Sequence, residues 1–398
     1  MLFRSPSRED VESELERMWQ ALGARTIEDL ARLLETPDPA TLATLDVLAA
    51  VASPAWFTDQ LLPALIGARI ANLSIERGNG PASSFGYSML GMKLGPFSGD
   101  YQTAYRFGKL ALELAERGGN PRTLGQVLFG YAGFTRPWVD DLGGCRELLE
   151  RGFEAAERAG DVTYATYLLY HVEELMLIAG SPLEGTEAAC RRALDYAREH
   201  NFDFAVLQIQ PQLGLTRMLR GDSARFGSFD SPEFNQADFE RVCSGVPALT
   251  SPFCRYWFRR QQAHFLAGDA RASVAAAEAA GPLLWCADVF PQYADYHFYG
   301  ALARAECLDS ADEAARPNFR EQLEAHLTRL AQFGENSPVT FGSRAAFGRG
   351  GICAHRGPGT GRNDPLRARH PFSTRGRLRP RRGSELRTRG ALLRRPRL

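Results

Sequence analysis

A single stretch, Gly99 to Arg117 (GDYQTAYRFGKLALELAER), constrains this chain more than any other. Asp100 is placed to cap a helix. A period of 3.6 residues then puts Ala104, Phe107, Gly108, Ala111, Leu114 and Ala115 on one face. Arg106, Lys109, Glu113, Glu116 and Arg117 gather opposite. The small residues let a second helix approach closely, while Phe107 and Leu114 fill the space beside them. Such a face cannot be buried alone, so the stretch demands helical neighbours. Gly99 and the run Gly118-Gly119-Asn120-Pro121 punctuate its two ends.

The neighbours are present along the chain. Ser7-Arg8-Glu9-Asp10 opens a helix to about Ala21, Thr26 caps a short second one, and a third runs from about Pro39 to Val51. From Thr58 onward the pattern becomes regular. Helices are expected over 58–77, 82–94, 99–117, 124–139, 144–159, 162–179, 183–200, 204–219, 251–267, 271–286, 294–307 and 318–332. A Gly-Asp turn followed by an Ala-rich helix recurs, and the spacing suits stacked helical hairpins. Residues 221–236 (GDSARFGSFDSPEFNQ) form the most loop-like interior segment. No stretch alternates as a strand would. The expected fold is all-α, a right-handed solenoid of tetratricopeptide-like hairpins. Residues 1–57 would be a helical lead-in, 58–335 the repeat domain and 336–398 a disordered tail.

Composition supports a globular body with a foreign end. Of 398 residues, 44% are apolar and 24% charged, with 47 basic and 47 acidic side chains. That neutrality hides a split. Residues 351–398 hold fourteen Arg against Asp364 and Glu385, a balance of +12 that the rest of the chain must offset. Seven scattered cysteines without a CxxC pair point to reduced thiols and a cytoplasmic setting. The most apolar run, Leu42–Trp56, contains Asp46 and Pro54, so no membrane span is expected.

Several strings resemble the helical segment of large bacterial hybrid sensor kinases. They are LSIERGNGPASSFGY (Leu73–Tyr87), YRFGKLALEL (Tyr105–Leu114), RPW (Arg136–Trp138), RFGSFDSPEF (Arg225–Phe234) and DYHFYGALARA (Asp295–Ala305). In that family a Ser/Thr-kinase-like domain and an AAA-type ATPase precede tetratricopeptide-like helices, and a GAF domain and a histidine kinase follow. The resemblance, from about Leu15 to Ala346, implies a relay or docking segment whose partners are neighbouring protein domains. The family's activities do not transfer. A P-loop needs GxxxxGK[ST], yet Lys93 and Lys109, the only lysines, are followed by Leu. The kinase strings HRD and DFG are absent, as is a phosphoacceptor His in its helical context. The expectation is a non-enzyme without metal or cofactor. A contribution to ATP-dependent kinase signalling is the alternative.

Near Ala346 the resemblance stops, and the Arg-, Gly- and Pro-rich remainder has no helical period. Read one nucleotide later, permitted codons for His355–Phe372 can spell an acidic amphipathic helix. A frameshift from about residue 347 is therefore expected, and it would leave Leu323, Leu327 and Leu330 uncovered. An Arg-rich nucleic-acid-binding tail and a merely solvated tail are the rival readings. The first is disfavoured because Phe372 is the only aromatic residue after Phe347.

Local constellations read mostly as structure. His171 and Glu174 share a helix face but supply only two metal ligands, so a satisfied helix histidine is expected. His297 lies in an aromatic string with Tyr293, Tyr296, Phe298 and Tyr299 that suits core packing. Asp140 and Asp141 lack a companion acid or base and suit a loop. Gly357, Gly359 and Gly361 imitate a phosphate loop with neither strand nor helix around them. Arg136, Trp138, Phe226, Phe229 and Phe234 are the candidate partner-binding residues, since Trp and Arg commonly anchor interfaces.

Overall fold

The computed structural model describes residues 5–355. Among them the chain is all-α, with sixteen helices in consecutive packing contact and no strand. They are α1 (Arg8–Leu22), α2 (Pro39–Thr58), α3 (Leu62–Arg77), α4 (Ser83–Ser98), α5 (Tyr101–Gly118), α6 (Pro121–Gly130), α7 (Cys145–Arg158) and α8 (Val162–Ile178). Then come α9 (Leu183–Glu199), α10 (Asp203–Arg220), α11 (Gln236–Cys243), α12 (Thr250–Leu266), α13 (Ala270–Ala280), α14 (Tyr293–Ser310), α15 (Arg316–Asn336) and α16 (Pro338–His355). From α2 to α10 and from α11 to α15 each helix packs on the next, and α1 packs on α3. The even-numbered helices from α2 to α14, α11 being odd and short, also pack on one another, α2 on α4, α4 on α6, and so on to α14. One continuous row thus runs through a repeat-like stack, while α5, α7 and α9 rest mainly on the helices before and after them.

Contacts between successive helices are drawn tight by glycine. A Cβ on Gly67 of α3 would lie 2.9 Å from the Leu90 backbone nitrogen, and one on Gly91 of α4 would lie 2.9 Å from the Ala104 carbonyl oxygen. Backbone atoms cannot step aside, so only glycine permits these approaches. The opening stretch behaves as its pattern requires. Asp100 accepts a hydrogen bond from Thr103 N at 2.9 Å, and Gly99 adopts φ +80°. Ala104, Phe107, Gly108, Ala111 and Ala115 are buried and Leu114 half-buried. Its polar face also holds structure: Arg106 grips Glu28 in a bidentate pair at 2.8 and 2.7 Å. Glu28 belongs to the 3-10 turn Glu28–Arg32, and Val11, Met18 and Leu30 share one apolar core with α3, α4 and α5. The residues before Thr58 are packed into the stack.

Several expectations change; the helix expected over 271–286, for one, stops at Ala280 and gives way to the 3-10 turn Gly281–Cys286. α2 does not end near Val51 but continues through Pro54 to Thr58, whose hydroxyl donates to the Pro54 carbonyl at 3.1 Å. The helix expected over 124–139 breaks at Gly130 into a π-helical turn (Tyr131–Thr135) and a 3-10 turn (Arg136–Trp138). Thr135 donates its hydroxyl to the Gly130 carbonyl five residues back, bracing the wider turn, and Pro137 has no N–H to continue an α-helix. The tail begins later than residue 336, because α16 occupies residues 338–355. Its Phe341 and Ala345, four apart, are buried. Phe341 packs on Trp138 and Phe333. Ser337 and Thr340 donate their hydroxyls to the Asp140 carbonyl at 3.3 and 3.1 Å. Leu323, Leu327 and Leu330 are accordingly buried and not left as an open edge. The frameshift expectation beyond residue 355, the glycines Gly357, Gly359 and Gly361, and the basic tail lie outside the described residues.

One helix among the described residues, α2, has the length and mean hydropathy (1.4) of a membrane span. Most of it is not buried. Val47 (62% exposed) and Val51 (44%) lie one turn apart on its outer side. Cys145, Cys190, Cys243, Cys254, Cys286 and Cys307 are buried and unpaired.

Candidate binding pocket and buried polar core

Residues Ala287–Phe290, between the 3-10 turn Gly281–Cys286 and α14, pack in one apolar cluster with Met92 of α4, Phe134 and Phe258 of α12. Ala287, Val289 and Phe290 are buried. The Val289 carbonyl accepts the indole N–H of Trp138 at 3.1 Å. Asp288 lies 3.9 Å from the ammonium of Lys93, and burial raises its carboxyl above the ordinary range. Trp138 is therefore a core residue and not a partner anchor, held by that hydrogen bond and by Tyr101, Phe333 and Phe341 around it. Arg136 is pinned to Asp140 at 3.3 Å. Phe229 is buried against Gly214 beneath the Arg260 guanidinium, and Phe234 is half-buried against Phe239. Phe226 alone of the five projects, 49% exposed.

Beside Ala287–Phe290 lies a cavity of about 50 Å³. α2 supplies Ser53, Trp56 and Phe57, α4 supplies Phe85, Ser88, Met89 and Met92, and α8 supplies Tyr164, Tyr167 and Tyr170. Gln126, Phe129, Phe134, Phe204, Gln208, Ser251 and Phe290 complete it. The π-helical turn matters here. One extra residue in a turn rotates everything beyond it by about 100°, and Phe134 lies in that turn, 4.8 Å from Phe129 and 5.2 Å from Phe290 between ring centres. The cavity wall is aromatic and carries no Lys, Arg, His, Asp or Glu. Gln208 is buried. Its amide nitrogen donates to Ser251 Oγ at 3.1 Å, while its carbonyl oxygen has no partner. Ser53, Phe85 and Gln126 also border an outer vestibule of about 400 Å³, with Asp46, Asn120 and Thr123 on its walls.

Behind the aromatic wall is a strip of buried charge. α8 is apolar on nearly every side, so its polar residues are enclosed as well. Arg255 of α12 donates to Glu174 Oε2 at 2.6 Å, and the two side chains are 5% and 0% exposed. The guanidinium also lies over the Tyr170 and Phe290 rings. His171 Nδ1 is 3.1 Å from the same carboxylate but misaligned for a hydrogen bond, and Nε2 has no partner. The satisfied helix histidine expected here is thus packed among rings, not fully hydrogen-bonded. Burial keeps it neutral, with its pKa below the usual value. Burial also works against ionisation of Glu174, yet Arg255 and His171 outweigh it and hold its pKa low. Glu173 is the reverse case. Burial, reinforced by the charge of Glu174, pushes its carboxyl well above the usual range, and neither oxygen has a partner. Further along, Asp295 bridges Arg259 at 3.4 Å and Arg344 at 3.0 Å. His297 and His326 meet through their Nδ1 atoms at 2.9 Å inside the aromatic string, which fits core packing.

Two adjacent carboxyls with pKa values driven apart have the form of an acid/base pair. Both are fully enclosed and neither lines the aromatic cavity, so no substrate reaches them there. Asp140 and Asp141 lie in a loop, as expected, and Asp141 caps Gly143 N. No group of three His, Cys, Asp or Glu among the described residues is arranged to hold a metal ion. The aromatic cavity and the Glu173/Arg255 strip escaped sequence reasoning. The usable signal was that α8, apolar all round, must bury Glu173 and Glu174. Comparison with protein-family models, curated proteins and solved structures returned no match.

Proposed function

We propose that this chain is a non-catalytic helical-repeat scaffold, a right-handed solenoid of tetratricopeptide-like hairpins that acts in the cytoplasm. Its role would be that of the relay segment in a bacterial hybrid sensor kinase, docking ATPase, GAF or histidine-kinase modules. The ordered family-like strings support the parentage, and the capped, glycine-tightened stack supports a scaffold. The observation that carries the docking role is α2. This helix has a core helix's composition, yet Val47 and Val51 face outward on one strip with Ala43, Ala50 and Pro54. Exposed apolar patches of this kind mark interaction surfaces. The proposed partner would dock on this exposed strip.

The test is titration of the purified chain with purified ATPase, GAF and histidine-kinase modules encoded beside it, followed by calorimetry. Saturable binding to one module, lost in the Val47→Asp/Val51→Asp variant, supports the scaffold. Binding to phospholipid vesicles through the same two residues would reassign α2 to a membrane surface. ATP binding by the chain alone would overturn the non-enzyme reading in favour of an ATP-dependent kinase subunit.

A further inference from the structure

We propose that the pocket between α9, α10 and the loop 221–235 binds a small phosphomonoester with a hydroxyl-bearing body, a sugar phosphate in chemical class. The pocket measures about 630 Å³, within the range of sites that take a small organic molecule and more than an oxyanion alone needs. Its charge is divided between two walls. Arg191 and Arg198 of α9 and Arg217 of α10 stand on the helical wall, and Asp222 and Glu233 on the loop.

The helical wall selects the phosphate, because its donors outnumber the acceptors beside them. Glu187, 7% exposed, is the carboxylate on that wall, and both its oxygens are taken. Oε1 accepts from Arg191 Nε and Nη2 at 3.0 and 2.7 Å and from Arg217 Nε at 3.4 Å, and Oε2 accepts from Arg220 Nη1. A guanidinium carries five N–H donors, so each of these arginines keeps donors free after the pairing. Arg198 is exposed, and its side chain has no partner among the described residues. Arg191 and Arg198 are seven residues apart, two turns along one face of α9, with buried Leu194 between them. Two long side chains flanking an apolar floor can close on one set of acceptor oxygens, the charge-assisted contact that arginine forms with phosphate.

The loop wall selects the hydroxyls. Asp222 pairs with Arg220 through one oxygen at 3.1 Å, and Glu233 lies 3.6 Å from Arg217, beyond hydrogen-bond distance. Asp230 is spent inside the loop on Gln236 and Ser228. The Asp222 and Glu233 side chains, each 51% exposed, therefore keep acceptor capacity on the pocket wall. A carboxylate repels a second anion but accepts from a hydroxyl. A ligand anionic at one end and hydroxylated at the other meets both walls without placing like charges together. The assignment stands on this geometry and is independent of the scaffold reading.

The experiment is calorimetry of the full chain at low salt with glucose 6-phosphate, ribose 5-phosphate, glucose and inorganic phosphate. One of the two sugar phosphates is expected to bind roughly tenfold tighter than inorganic phosphate, with glucose weaker still. Arg198→Met removes a side chain that has no partner in the fold, and it is expected to weaken sugar phosphate and inorganic phosphate alike by about tenfold. Asp222→Asn is expected to weaken the sugar phosphate by about threefold and to leave inorganic phosphate no weaker. No binding of either sugar phosphate at millimolar concentration, equal affinities for sugar phosphate and inorganic phosphate, glucose binding as tightly as its phosphate, or unchanged affinity in a folded Arg198→Met protein each overturn the assignment.

Discussion

The α4–α5 contact and the α8–α12 contact perform the same task with opposite chemistry. At the first, Gly91 brings backbone against backbone, and Phe107 stacks on Tyr87 with centres 6.1 Å apart. The contact is steric and nearly free of charge. At the second, long side chains span the gap, and Arg255 meets Glu174 at full burial with Glu173 and His171 alongside. Close approach is stable by itself once glycine permits it. A buried ion pair draws its value from the completeness of its partnership, because desolvation consumes most of the Coulomb gain.

The sharpest way to break the comparison is to remove one partner from the second contact. Arg255→Met strands the Glu174 carboxylate and is expected to cost about 3–5 kcal/mol of unfolding free energy. The double variant Arg255→Met/Glu174→Gln should regain most of that loss. Chemical denaturation measures both, and a double variant as weak as the single one would mean that packing, not charge, holds α8 to α12. On the other side, Gly91→Ala drives a methyl into the Ala104 carbonyl. It should cost about 1–3 kcal/mol, with no change on varying salt or pH.

The pH response separates the regions further. His171, His264, His297 and His326 are held neutral, burial being the main cause, with His264 falling to about 4 and His326 to about 3. Unfolded histidines titrate near 6.5, so the unfolded chain takes up protons that the folded chain refuses. Stability is full above about pH 6.5 and is lost as pH falls toward the folded values, at about 1.4 kcal/mol per unit for each histidine. Glu173 runs the other way. Its raised pKa favours the fold below about pH 4.5 and costs stability as pH rises above it. Four histidines against the two raised carboxyls Glu173 and Asp288 leave a net loss of stability on acidification between those limits. Denaturation midpoints at pH 7.0 and 5.5 test this. Glu173→Gln should raise stability at pH 7.0 and steepen the acid loss.

Legibility in the sequence follows the same division. The glycine-tightened contact is periodic, and periodicity is local, so Ala104, Phe107, Gly108 and Ala111 declared their face in advance. The breaks have tertiary causes. α16 continues where Arg and Gly suggested a tail, because Phe341 finds Trp138 and Phe333. Arg255 and Arg259 look like solvated positions on any single helix. Only their closeness to Glu174 and Asp295, 81 and 36 residues away in sequence, makes them core. The aromatic cavity gathers residues from Ser53 to Phe290, a separation no short pattern spans.

The recurring Gly-Asp turn offers the finest cut between local and tertiary control. Gly99-Asp100, Gly160-Asp161 and Gly268-Asp269 share a left-handed glycine, at φ +80°, +65° and +81°. In each, the aspartate accepts from the N–H three residues on, at 2.9, 3.2 and 2.9 Å. Gly221-Asp222 has the same glycine at φ +83°, yet Asp222 pairs with Arg220 at 3.1 Å and a loop follows. Replacing Asp100 or Asp269 by Ala removes an exposed cap and should cost about 1 kcal/mol. Asp161, 8% exposed with Arg122 at 3.6 Å, should fall at the upper end, about 2 kcal/mol. Asp222→Ala, with no helix to cap, should sit within about 0.5 kcal/mol of the parent. Denaturation midpoints of the four variants order them. If Asp222→Ala ranks with the caps, then the turn acts through the glycine conformation and its neighbours, and capping is not what the repeat encodes.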